Sequence, residues 1–216
     1  MSQTTKNIYF VRHAESVGNV AEIQQHADID LSEHGHGQAN SVAGRFLTIP
    51  IDVVVASDML RAQKTGRAIA ERTKKELILS PLFQERRRPS ETAGFWIHSD
   101  EAKAVQNAIV EHLDDPNWHY SDEENVFDMR ERAVKAIAYL EERTEHSLAV
   151  VTHGVFLKML ISVMFRPDIP PREFLQFAYF LHPDNTGITW CQKGHPKAVD
   201  KNIWQMVTWN DHAHLG

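Results

Sequence analysis

The chain has 216 residues, 42% hydrophobic and 24% charged, enough for one globular domain with a sizeable core. Its formal net charge of −6 argues against a general affinity for nucleic acid, and no apolar stretch is long enough to span a membrane. The single cysteine, Cys191, excludes an internal disulfide and a cysteine-built metal site.

The first residues, MSQTTKN, run into an apolar segment without the cationic stretch and apolar core of an export signal, so the expected location is the cytoplasm. Three short apolar runs follow along the chain, at 8–11, 53–56 and 148–151. Each is continuous rather than alternating, the pattern of strands buried on both faces of a parallel sheet. Helical patterns separate them. Residues 37–47 place Val42 and Phe46 on one face, and 59–72 form a second helix with Ser57 or Asp58 as N-cap. From Val126, a stripe of Met129, Ala133, Ile137 and Leu140 ends near Arg143. A further helix at 155–165 stops before Pro167 and the Pro170-Pro171 pair. Three late strands are predicted at 174–181, 187–192 and 203–209, joined by turns at Pro183-Asp184-Asn185 and Lys193-Gly194. Residues 86–125 are the least regular, with one helix around 100–113, and read as a small lid insertion. The expected fold is α/β, a mainly parallel central sheet flanked by helices, in a single domain over 1–216.

Each of the three runs ends in chemistry-bearing residues: Arg12-His13, then Ser57-Asp58 with Arg61 one turn on, then Thr152-His153-Gly154. Ligands of open α/β sheets bind outside the carboxyl ends of the strands. If the three strands are parallel neighbours, two arginines and two histidines meet at one rim, and such a cluster calls for an anion. Phosphate fits, because guanidinium donors match its oxygens in pairs. The turn from Ala14 to Asn19 adds backbone amides and the Asn19 side chain, with a helix C-cap as the plain alternative for Asn19. A neutral imidazole fixed at one ring nitrogen is a nucleophile at the other. Arginines around it stabilise a transferring phosphoryl group, and the second imidazole, if protonated, is a further donor. An acid is still needed for the leaving alkoxide.

These residues resemble a known set. Arg12-His13-Ala14-Glu15 is similar to the signature of the histidine phosphatase superfamily, the phosphoglycerate mutase-like enzymes. LSEHGHGQA, ASDMLRAQKTGRAIA, VVTHGVFL and DNTGIT resemble further segments of that family, in the same order and over nearly the whole chain. The resemblance implies that His13 becomes a phosphohistidine. It also implies that Arg12, Arg61 and His153 complete the phosphate pocket with Asn19 as an extra ligand, and that neither metal nor organic cofactor takes part. LFQERRR resembles the family's Leu-x-Glu-Arg segment and marks Glu85 as the proton donor, with Glu91 as the other candidate. The departure comes after it, where AGFWIH lacks the second acid of the family's Gly-x-Trp-Glu-Gly.

The expected activity is metal-independent hydrolysis of phosphomonoesters. A phosphoglycerate-type mutase is the alternative enzyme, and a phosphate-site binding protein without turnover the alternative of another class. The expected partner is a small phosphorylated metabolite or a phosphoprotein, with neither nucleic acid nor membrane. Arg86 to Arg88 either contact the substrate or form a solvated face; Trp96 and Trp118 either stack on a base or pack within the lid. His34-x-His36 and His212-x-His214 read as surface histidines in loops.

Overall fold

Lys6–Arg12 (β1) is buried on both faces at its centre because its four apolar residues alternate between two cores. The computed structural model describes residues 5–216; Met1 to Thr4, the approach to this strand, lie outside them. The remaining elements in chain order are Val17–Val20 (α1), Glu33–Arg45 (α2), Val53–Ala56 (β2), Leu60–Thr73 (α3), Leu77–Leu79 (β3), Asp100–Glu111 (α4), Val126–Glu142 (α5), Ser147–Thr152 (β4), Gly154–Phe165 (α6), Pro171–Phe180 (α7), Ile188–Lys193 (β5) and Gln205–Asp211 (β6).

The strands form one six-stranded sheet in the order β3-β2-β4-β1-β5-β6. The first four in that order run parallel, while β5 is antiparallel to β1 and to β6. Ile8, Phe10, Val55 and Val150 face a core shared with Met129 and Leu140 of α5 and with Phe156 and Leu160 of α6. Tyr9, Val11, Val54 and Val151 face the opposite core, closed by Val42 of α2 and Ile69 of α3. Each such side chain contributes about 1.5–3 kcal/mol on burial, so an unbroken apolar run is what a sheet covered on both faces requires. Among the described residues no helix is long and apolar enough to cross a membrane.

The predicted strand at 174–181 is a helix, α7. Its aromatic content imitates a strand, but Pro171 sits in its first turn with Glu173 beside it, both favourable at a helix start. Phe174 is buried while Phe177 and Ala178 pack partly on the same core, a helical spacing rather than an alternating one. The strand β3 escaped the reading because three residues are too few to show a period. Neither Ser57 nor Asp58 caps α3. Its N-cap is Met59, without a side-chain bond, since the Ser57 hydroxyl is engaged by the Met59 amide and by His153. His34 and His36 lie in α2 rather than in a loop.

Candidate active site

The three chemistry-bearing strand ends are neighbours, as β2, β4 and β1 lie side by side. Register aligns them: Arg12 pairs with Thr152 and Ala56 with Val151. Two backbone bonds beyond the strands extend the alignment, from His13 N–H to Thr152 O at 2.8 Å and from Ser57 N–H to Val151 O at 3.0 Å. His13 and His153 are therefore brought together with ring centroids 5.0 Å apart, both buried.

His13 Nδ1 lies 2.7 Å from Ala14 O. A carbonyl only accepts, so the ring proton is on Nδ1 and Nε2 carries the lone pair. Arg61 agrees with that tautomer, its Nε donating to His13 Nε2 at 3.3 Å. Burial first, then the charges of Arg61 and Arg12, hold His13 well below the ordinary histidine pKa of 6.5. Burial likewise holds His153 well below it, with His13 and Arg61 adding to the effect. Both imidazoles are neutral at neutral pH. His153 Nε2 meets Ser57 Oγ at 2.9 Å, and its Nδ1 is buried without a partner. Ser57 Oγ also accepts the Met59 amide. If the Ser57 hydroxyl gives its proton to Nε2, the ring proton of neutral His153 is on Nδ1 and makes that atom a donor.

In the unfolded chain both rings titrate near about 6.5, and below that value the unfolded state binds more protons than the folded one. The stability held by the neutral rings is full above the unfolded pKa and is lost as pH falls toward the depressed folded values. Melting temperature is expected to be flat above about pH 7 and to drop on acidification through about 6.5, with a shallower drop in His13→Ala. Equal slopes in the two proteins would contradict this.

Arg12 donates through Nη1 to Pro183 O at 2.7 Å while its Nε is buried and unpartnered. Arg61, in the first turn of α3, is 2% exposed. Its Nη1 donates to His26 O at 2.9 Å, and burial brings its pKa down to about 10. Asn19 is not a C-cap. It is the third residue of α1, its side-chain oxygen accepting from Ser16 N at 3.0 Å and Ser16 Oγ at 2.9 Å.

Glu85 is not ion-paired to the arginines that follow it. Its carboxylate accepts the backbone N–H groups of Arg86 (2.9 Å), Phe156 (2.9 Å) and Val155 (3.0 Å), the last two from the first turn of α6. Arg132 holds the preceding backbone through the carbonyls of Leu82 and Gln84, and its guanidinium is gripped by both oxygens of Glu124. Arg86 pairs with the fully buried Glu123 at 2.6 Å. Glu85 faces the same cavity of about 1070 Å³ as Arg12, His13, Asn19 and Arg61, whereas the exposed Glu91 is not part of its lining. His153 lies behind it against Ser57. Neither Trp96 nor Trp118 lines that cavity; Trp118 stacks on His112 at 4.2 Å.

Several supporting residues carried no role from sequence alone. Asn185 donates to His13 O at 2.8 Å across 172 residues. Thr65 accepts the Ala14 amide at 3.1 Å and donates to Arg61 O at 2.8 Å. Ser32 and Gln38 bind Glu15, through its carboxylate at 2.6 Å and its amide at 2.8 Å. The start of α2 thus clamps the turn after His13. A Cβ on Gly35 would stand 1.9 Å from Glu15 O, while one on Gly37, two residues on, meets nothing within 4 Å. Alanine is the better helix former by about 1 kcal/mol, so Gly37→Ala is expected to leave stability equal or raised. Gly35→Ala is expected to cost about 1–3 kcal/mol through the clash and to lower kcat with it. Paired thermal melts and assays check both; equal melts in the two variants would contradict the clamp.

The sequence profile of the histidine phosphatase superfamily (branch 1) matches residues 8–212. A protein of Enterobacter sp. (strain 638) named "Probable phosphoglycerate mutase GpmB" is 30% identical over 165 residues, 73% of this chain and 74% of its own. A Hydrogenobacter thermophilus protein, provisionally named phosphoserine phosphatase 2, is 27% identical over 189 residues, covering 85% of this chain and 88% of its own. Among solved structures, phosphoserine phosphatase of Entamoeba histolytica in complex with 3-phosphoglyceric acid superposes with a TM-score of 0.75. It is 20% identical and covers 98% of this chain and all of that one, a likeness of fold. From its signature residues, their placement and the span of the profile, the chain belongs to the histidine phosphatase superfamily, branch 1.

Proposed function

We propose that the protein is a metal-independent phosphomonoesterase working through a phosphohistidine at His13. The reading is carried by one observation: a buried, neutral imidazole with its lone pair on Nε2 sits among Arg12, Arg61 and His153 at three adjoining strand ends. The unpartnered Arg12 Nε and His153 Nδ1 supply donors that a phosphoryl oxygen satisfies. Asn19 adds its amide nitrogen from the cavity wall.

His13 Nε2 attacks phosphorus in line, the ester P–O bond breaks, and the leaving oxygen takes the proton of Glu85. Water then attacks the phosphohistidine, losing its proton to Glu85, and the P–N electron pair returns to Nε2. The Nδ1–H bond to Ala14 O keeps one tautomer throughout. Arg12 and Arg61 stabilise the charge spread over the equatorial oxygens, the dominant task in phosphoryl transfer. The segment 86–125 serves as the lid of this single domain: the Arg86–Glu123 pair ties its two ends to each other, and backbone bonds of Gln24, Gly94 and Ile97 join it to residues 22–24.

The test is an assay with excess chelator on 3-phosphoglycerate, phosphoserine and p-nitrophenyl phosphate, following phosphate release and isomerisation together. Phosphate release without isomerisation is expected. Isomerisation outpacing release would make the protein a mutase, and strict dependence on added metal would overturn the mechanism.

A further inference from the structure

Arg12 and His13 are held on one side by β4 and on the other by the loop that precedes β5. In this loop Pro183 O accepts from Arg12 Nη1 at 2.7 Å, and Asn185 Nδ2 donates to His13 O at 2.8 Å. The Thr186 amide donates to Arg12 O at 2.9 Å, while Gly187 O accepts the Arg12 amide at 3.4 Å. One segment, 182–187, thus fixes the Arg12 guanidinium and both peptide groups that flank His13.

The loop is itself held by Asn210, near the end of β6. Asn210 Oδ1 accepts the Asp184 amide at 2.8 Å, and Nδ2 donates to Asp184 Oδ2 at 2.7 Å and to His182 O at 3.2 Å. The partners settle which atom is which, since an N–H faces one side of the amide and two oxygens the other. A carboxylate here has no donor to give, and a hydroxyl has only one. The approach is close: a Cβ on Gly187 would stand 1.9 Å from Asn210 Oδ1. Asn210 holds φ at +53°, in the left-handed region that asparagine enters more readily than most residues. It is not part of the cavity lining, whereas His182 and Pro183 of the loop are. Any influence it has on the reaction therefore passes through the loop.

We propose that Asn210 is a positioning residue for phosphoryl transfer, locking the 182–187 loop so that Arg12 and His13 keep the in-line geometry. This rests on the phosphohistidine reading for what Arg12 and His13 do, and adds a residue that never meets the substrate. A displacement of about 1 Å at reacting groups costs on the order of 10²-fold in rate. Ground-state binding should suffer less, because Arg61 and His153 come from other elements.

The experiment starts from Asn210→Asp, which keeps the shape, removes both donors and sets a second carboxylate against Asp184. With p-nitrophenyl phosphate, kcat per folded molecule is expected to fall about 10- to 100-fold while KM changes less than about threefold. Orthovanadate, which adopts the five-coordinate geometry of the transition state, should bind more weakly by a similar factor in calorimetry. Adding Asp184→Asn exchanges amide and carboxylate across the contact at constant charge, and should return kcat to within about fivefold of wild type. Asn210→Gly serves if Asn210→Asp fails to fold, because glycine accepts the positive φ. It should show the same losses and gain nothing from Asp184→Asn. A lower melting temperature with unchanged kcat and vanadate affinity would reduce Asn210 to a stabilising residue and overturn the proposal, as would a folded exchange variant with no recovery. Full activity in His13→Ala would instead overturn the phosphohistidine reading; the vanadate comparison, which needs no turnover, would still decide the role of Asn210.

Discussion

His13→Ala is expected to reduce phosphate release by at least about 10⁴-fold, the scale on which covalent mechanisms lose activity when their nucleophile is removed. The geometry makes the effect selective. His13 Nε2 is the lone pair aimed at the phosphoryl site, while the donors around it come from other elements: Arg12 from β1, Arg61 from α3 and His153 from the end of β4. The variant should therefore still bind phosphate and orthovanadate. Loss of binding together with turnover would mean that His13 holds the pocket rather than attacks from it. His13→Gln is the companion, retaining bulk and polarity without a usable nucleophile. Recovery of more than a trace of activity in it would contradict the covalent role.

The second large effect is expected at Glu85. A carboxyl acting as acid contributes about 10²–10⁴-fold, but only where the leaving oxygen needs a proton. Glu85→Gln is expected to slow the first chemical step on alkyl phosphates by that factor. With p-nitrophenyl phosphate, whose leaving group departs as a stable anion, the first step should be nearly unaffected and only the hydrolysis of the intermediate slowed. A pre-steady-state burst of p-nitrophenol should then appear in the variant. Equal losses on both substrate types would assign Glu85 to orienting the site through the Val155 and Phe156 amides instead. Glu91→Gln is the contrast, since that side chain lies outside the cavity lining and should change little.

Much of this arrangement could be read from residues alone, because it depends on local order. Apolar runs that end in Arg12-His13 and Thr152-His153 announce strands that finish at a rim, and parallel pairing of β2, β4 and β1 follows from burial on both faces. What stayed hidden depends on contacts between distant segments. Asn185 supports His13 from a turn far along the chain, and nothing in its neighbourhood signals that partner. The three arginines at 86–88 look alike in sequence and differ only in what they meet: a buried Glu123, a backbone carbonyl, and open cavity. Gly35 reads as a poor helix residue until the Glu15 carbonyl is placed against it. Residues 174–181 read as a strand for the reverse reason, since their aromatic composition outweighs the proline pair that starts α7.

The central claim is that the phosphoryl group passes through His13, and one measurement tests it most directly. The Glu85→Gln variant is mixed with p-nitrophenyl phosphate, quenched in alkali within the burst, digested at high pH, and its peptides sequenced by mass spectrometry. The account predicts one phosphorylated residue, His13, stable to base and lost on brief acid treatment, in an amount equal to the burst. Turnover with no phosphorylated peptide, or phosphate found on another residue in burst amount, would contradict it.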